Sequence, residues 1–274
     1  MSWASCFRTI LKYSDFLACK NNFSANLNCF FMLTPEEIKN KIKDLAVRDG
    51  YIDSIFNYCD RWCERCAFTS KCRNFAFEKE DPPPDGPELW AYLHNIFEAT
   101  FLMLEEMMRE RGFDLDKLSD IEEDTKSDPK NHSLSIFVRE TVFKIHDWLK
   151  KNDLHYKIRD QVNPDIHLLE KLSRYKDSIE VIYWYNFFIS AKITRAVSGL
   201  LKNDELSEYD MNGSAKIALV SIDRLIASWI VVLNENPECE DEILDILVSL
   251  AEIRKRTEMT FPEARKFIRP GFDE

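Results

Sequence analysis

The sequence predicts an all-α protein: a helical bundle of four to five long helices, preceded by a small helical segment that bears a cysteine cluster. Three observations lead there. Only six glycines occur in 274 residues, too few to supply the positive-φ turns of a hairpin-rich sheet. Apolar residues recur at the three-to-four spacing of one helical face over long stretches. The proline-rich signal is concentrated at Glu78 to Pro87 (EKEDPPPDGP), where consecutive prolines remove amide donors and hold an extended path.

Residues 1–31 hold Cys6, Cys19 and Cys29 among scattered aromatics, without the basic start and apolar block of a signal peptide. They read as a disordered or mis-started extension. Met32 is followed by Leu33, Thr34, Pro35, Glu36 and Glu37, a capping Thr with Pro and acids in the first helical turn, and the native start is expected there.

A first helix is expected from Pro35 to Arg48, with Ile38, Ile42, Leu45 and Ala46 on one face and Gly50 as the break. A second should run from Tyr51 into the cysteines. Residues 32–77 thus form a cysteine-bearing helical unit, 78–87 a linker and 88–274 the bundle.

Five strong patterns follow the linker. Glu88 to Arg111 offers Trp90, Leu93, Phe97, Phe101 and Leu104 as a bundle-facing stripe, and an acidic mobile loop is expected over Asp114 to Asn131. Ser133 to Lys151 carries Ile136, Phe137, Val142, Phe143, Ile145 and Trp148. A looser stretch to Pro164 and a short helix near Asp165 to Leu172 precede Lys176 to Leu201, which is apolar around most of its circumference and belongs at the centre of the bundle. Gly213 to Asn234, Glu240 to Thr257 and a short helix at Pro262 to Phe267 complete the chain. This is bundle architecture.

Composition narrows the function. Hydrophobic content of 45% and charged content of 31% are those of a globular protein. A net charge of −11 speaks against nucleic acid and against an anionic membrane as partners. No run approaches the roughly 18 apolar residues of a membrane span; the richest, Ile217 to Leu233, is interrupted by Asp223 and Arg224 and reads as a core helix. Eight cysteines in a chain this long are no disulfide scaffold, and half of them fall in one short stretch. A cytoplasmic protein with metal or redox chemistry, and a protein or redox partner, is the expectation.

That stretch reads Cys59-Asp-Arg-Trp-Cys63-Glu-Arg-Cys66-Ala-Phe-Thr-Ser-Lys-Cys72. On a helix, Cys59, Cys63 and Cys66 would point one way, and Cys72 could fold back across Thr69 and Ser70. Neighbouring thiolates repel unless something positive lies between them, and Arg61, Arg65, Lys71 and Arg73 add to whatever a metal supplies. A single tetrahedral zinc holds its sulfurs roughly 3.8 Å apart, whereas i and i+4 positions on a helix stand about 5–6 Å apart at Cβ. All four ligands come from one compact run, in the manner of iron–sulfur segments. An iron–sulfur cluster is therefore favoured over zinc, with a metal-free packed stripe of cysteines as the third reading.

Cys59, Cys63 and Cys66 look like the C-x3-C-x2-C of radical S-adenosylmethionine enzymes, which implies a β/α barrel and glycine-rich cofactor contacts; a fourth cysteine, no strand–helix alternation and few glycines depart from it. The chain is more similar to bacterial helical proteins with a C-[DE]-x-W-C-E-R-C-x-F-T-x-x-C segment, here Cys59 to Cys72, and a downstream G-S-A-K-[IV]-A-L then I-D-R, here Gly213 to Leu219 and Ile222 to Arg224. That resemblance covers most of the chain after Met32 and implies the segmentation and the motif, not an activity.

Other chemistry is thinner. None of the five histidines has a Glu three residues before it, so the di-iron bundle signature is missing. His94 with Glu98, Glu140 with His146, and Glu180 and Asp223 are the nearest carboxylate candidates. Asp223 is expected to pair with Arg195 or Lys192 on the central helix; the alternative for Lys192, Arg195, Lys216, Asp223 and Arg224 is a small anion pocket. The aromatics Tyr183, Trp184, Tyr185, Phe187 and Phe188 read as core. Cys239 lies among acids that raise its thiol pKa.

Overall fold

The structure, a computed structural model, describes residues 32–84, 86–112, 128–152, 166–202 and 204–273. Among them every regular element is helical. The expectations for 1–31, for the acidic loop as far as residue 127 and for the stretch to 165 lie outside the described residues.

Helix α1 (Pro35–Val47) begins as its sequence dictates: Thr34 and Glu37 form a reciprocal capping box with Pro35 at the first position. Helix α2 (Arg73–Glu80) starts directly after the last clustered cysteine. It runs three residues into the stretch expected to be non-helical and stops before the three prolines. Helix α3 (Glu88–Glu110) follows.

The bundle proper is α4 (Ser133–Asn152), α5 (Ile166–Lys202), α6 (Glu205–Glu235) and α7 (Glu240–Thr260). Each packs on the next and α7 closes back on α4, so the four surround one core. Ile145, Ile182, Ile189, Leu219, Trp229 and Leu250 are among its buried side chains. The α5–α6 pair is the longest contact. Helix α6 is long and apolar enough to cross a membrane by composition alone, but half of its most apolar window is buried in the protein.

Three expectations change. The short helix near residue 165 and the long one after it are one helix, because nothing between Leu172 and Lys176 breaks it. Helix α6 starts at Glu205, where the Asp204 carboxylate accepts from the Ser207 amide, so Gly213 is interior and not a start. Among the described residues helix α3 packs chiefly on α1 and not in the bundle. It packs on α1 through the face of Tyr92, Asn95, Ala99 and Glu106: Tyr92 and Ala99 are buried, Asn95 Nδ2 donates to the Leu33 carbonyl at 2.9 Å, and Lys43 pairs with Glu106 at 2.5 Å. The stripe expected to face the core instead faces solvent, with Trp90 77% and Phe97 70% exposed.

Candidate metal centre

The cysteine segment is not helical through its first three cysteines, as the i, i+4, i+7 reading required. It is a chain of tight turns: 3-10 turns at Ile55–Asn57, Cys63–Arg65 and Thr69–Lys71, leading into α2. Ser54 and Arg61 adopt positive φ, 58° and 60°, the non-glycine residues that do so among the described residues. Left-handed backbone at such residues costs free energy and persists only where surrounding contacts over-determine it. The Ile52 amide donates to the Lys71 carbonyl at 2.9 Å, closing the segment into a loop.

The turns aim the thiols. The Cys66 amide donates to the Cys63 carbonyl at 3.2 Å, and the Phe68 amide reaches the Cys66 sulfur at 3.4 Å. The Cys72 amide donates to the Thr69 carbonyl at 3.3 Å. All four of Cys59, Cys63, Cys66 and Cys72 are free thiols, partly buried, and all four line a single small cavity of about 20 Å³ walled by Ile55, Phe56, Phe75 and Phe272. Their sulfurs are not drawn into coordination distance: among the described residues no three Cys, His, Asp or Glu side chains form an ion-holding group as they stand. Burial, then Glu78 and the other three thiols, push the Cys63 pKa up to about 11. Burial likewise raises Cys59, against the Arg61 amide and guanidinium. A metal ion entering here must displace protons.

Two of the four cations expected to serve the thiolates are committed elsewhere. Arg65 pairs with Asp177 at 2.6 Å and Glu180 at 2.5 Å and lies 3.9 Å over the Trp62 ring. Arg73 pairs with Asp53 and donates to the Leu45 carbonyl.

The segment is bolted to the bundle by residues between and beside the cysteines. Asp60 accepts from Tyr185 Oη at 2.5 Å, from Arg224 Nη1 at 2.6 Å and from the Trp62 amide at 3.1 Å, while its carbonyl accepts from Trp184 Nε1 at 2.9 Å. Trp62 stacks on Trp184, 5.0 Å between centroids at 16°. Lys192 Nζ, buried and shifted down to about 8 by desolvation and Arg195, donates to the Asn57 carbonyl at 3.0 Å. The Tyr58 ring lies against the bare backbone of Gly213.

Comparison with protein-family models, curated proteins and solved structures finds no match.

The chain's C-terminus supplies the outer wall. Phe272 meets Phe68 edge-on at 5.0 Å, and Gly271, at φ 76°, packs on Ile52. Arg269 holds the tail by a bidentate pair with Asp273, the shorter bond 2.7 Å, and depresses that carboxyl to about 2. Because the folded pKa lies below the unfolded value of about 3.9, this pair stabilises above pH ~4 and its contribution fades as pH falls towards 2. Asp273→Asn is therefore expected to lower Tm at pH 7, with the difference shrinking as pH falls towards 2 and vanishing below it, read by thermal melts across that range.

The remaining sequence candidates do not assemble into a site. Asp223 pairs with Arg265 at 2.7 Å and Arg254 at 3.4 Å, not with Arg195 or Lys192; Arg195 pairs with Asp210 at 2.5 Å. His94 and Glu98 form an exposed pair on α3, away from the bundle, and Glu140 is exposed. Of the aromatic run, Tyr185 is core, but Trp184 is the platform for Trp62. Sequence reasoning gave Asp60 and Gly213 no part in docking the cysteine segment and did not single out Phe272. Asp60 carried one available signal, an acid set between two cysteines.

Proposed function

We propose that Cys59, Cys63, Cys66 and Cys72 hold one metal centre, and that its role is to fasten the N-terminal unit onto the helical bundle. The observation that carries this reading is the convergence of four free thiols on one cavity from a loop otherwise made of strained turns.

A single tetrahedral ion, zinc, suits the site best. The cavity has space for about one water-sized sphere. The helical spacing that counted against zinc is not what the chain forms. The Phe68 amide pointing at Cys66 also suits a thiolate, since a donated hydrogen bond stabilises the charged form. An iron–sulfur cluster is the second reading, supported by the supply of all four ligands from one run of fourteen residues (Cys59 to Cys72); it requires the aromatic walls to move outward. Redox or sensing roles go with that second reading.

Metal analysis of anaerobically purified protein separates them. Colourless protein with about one zinc per chain supports the first; brown protein whose visible absorbance bleaches on reduction supports the second. Replacing all four cysteines by serine should abolish stoichiometric metal and lower Tm by several degrees, since binding to a structural site is folding free energy. Metal content unchanged by that replacement, or a wild-type chain that never takes up metal, defeats the proposal.

A further inference from the structure

We infer that helix α3 is a self-association element, pairing with α3 of a second copy of this chain. The inference is independent of the metal centre.

Trp90, His94, Phe97, Phe101, Leu104 and Met108 follow one another at alternating spacings of four and three, the seam of a two-stranded coiled coil. No Lys, Arg, Asp or Glu interrupts it. The opposite face of the helix is occupied by α1 through Tyr92, Asn95, Ala99 and Glu106. The seam is uncovered as far as Leu104, with Met108 half-buried: Trp90 is 77%, Phe97 70%, Phe101 60% and Leu104 43% exposed, with Met107 at 42% beside them.

Side chains of this size present roughly 150–250 Å² each, so the stripe leaves about 600 Å² of largely apolar surface in water. That is at the upper limit of what a monomer ordinarily exposes. Two copies brought together bury about 1,200 Å², the threshold of a specific stable interface. A two-fold arrangement needs one patch to match itself, and a heptad seam does so by construction. Knobs from one copy fill holes in the other without new chemistry. Acids flank the seam at Glu98 and Glu105.

His94 is the exception in the seam and gives the sharper test. It is solvent-exposed in the single copy, its ring 3.4 Å from Glu98. Burying a polar side chain at such a position fixes register at a cost in stability, so His94→Leu should tighten the dimer at least tenfold while leaving the isolated fold unchanged.

Light scattering and sedimentation of the full chain should give a dimer at micromolar concentration. Phe97→Glu with Phe101→Glu should give a monomer with wild-type helical circular dichroism, since both residues are exposed in the single copy. A monomeric wild-type chain overturns the inference, as does a dimer that survives the double substitution or is not tightened by His94→Leu. A chain that dimerises only when it is begun at Met32 assigns the seam to residues 1–31 instead.

Discussion

Gly213→Ala should destabilise this protein by about 1–2 kcal/mol net, although alanine is the better helix former. In an exposed helix interior the exchange would gain about 1 kcal/mol. Gly213 is interior to α6 and wholly covered. A Cβ there overlaps Cδ1 and Cε1 of Tyr58 and comes within 2.8 Å of Phe267 Cζ. Neither ring has an easy way out. Tyr58 is 4% exposed, set edge-on against Phe267 at 4.9 Å and Tyr209 at 5.9 Å, and its hydroxyl donates to Asp210 at 3.3 Å. Overpacking of this kind costs about 1–3 kcal/mol, and the ring that must move is adjacent to Cys59. The lowered Tm should therefore come with faster modification of the four clustered thiols by a thiol reagent. A raised Tm with unchanged thiol reactivity would mean that Tyr58 does not rest on this helix.

That contact also shows how far the sequence could be read. Helicity was legible outside the cysteine segment, because periodic apolar positions, caps and prolines are local signals; the Thr34–Glu37 box and the end before Pro82 follow directly. What a helix packs against is not local. Helix α3 carries apolar residues on two faces, and periodicity alone selected the face of Trp90 and Phe97, the larger side chains, when the one used against α1 is that of Tyr92 and Ala99. The cysteine spacing was equally legible, but it fits a helix and a series of turns alike. Ser54 and Arg61 in left-handed backbone decide between them, and no residue preference announces them. The cysteine segment and the stretch from Gly213 to Arg224 meet at one interface: Asp60 bonds Arg224, and Tyr58, one residue before the first clustered cysteine, rests on Gly213. Their spacing in sequence gave no sign that they meet.

The second large effect is expected at Asp60, which joins the cysteine segment to α5 and α6 through a single carboxylate. Asp60→Ala removes the acceptor for Tyr185 and Arg224 together, and a hydrogen bond to a charged group contributes about 1.5–3 kcal/mol. Arg224 retains its bond to Tyr185 but loses its counter-charge, and the Tyr185 hydroxyl, whose pKa is held well above the ordinary value by burial and by Asp60, is left without an acceptor in the same place. We expect a loss of about 2–3 kcal/mol. Asp60→Asn should cost less, because its carbonyl oxygen still accepts from one of the two donors. The fluorescence of the Trp62–Trp184 stack should shift towards that of solvated indole in the alanine variant and less so in the asparagine variant. Metal content offers the more telling comparison. If the thiols are positioned by the docked loop, Asp60→Ala lowers metal affinity with all four cysteines intact, and Tyr185→Phe with Arg224→Gln, on the far side of the same bonds, does the same. Wild-type affinity in both variants would mean that the loop organises its sulfurs unaided, with the bundle only an attachment point.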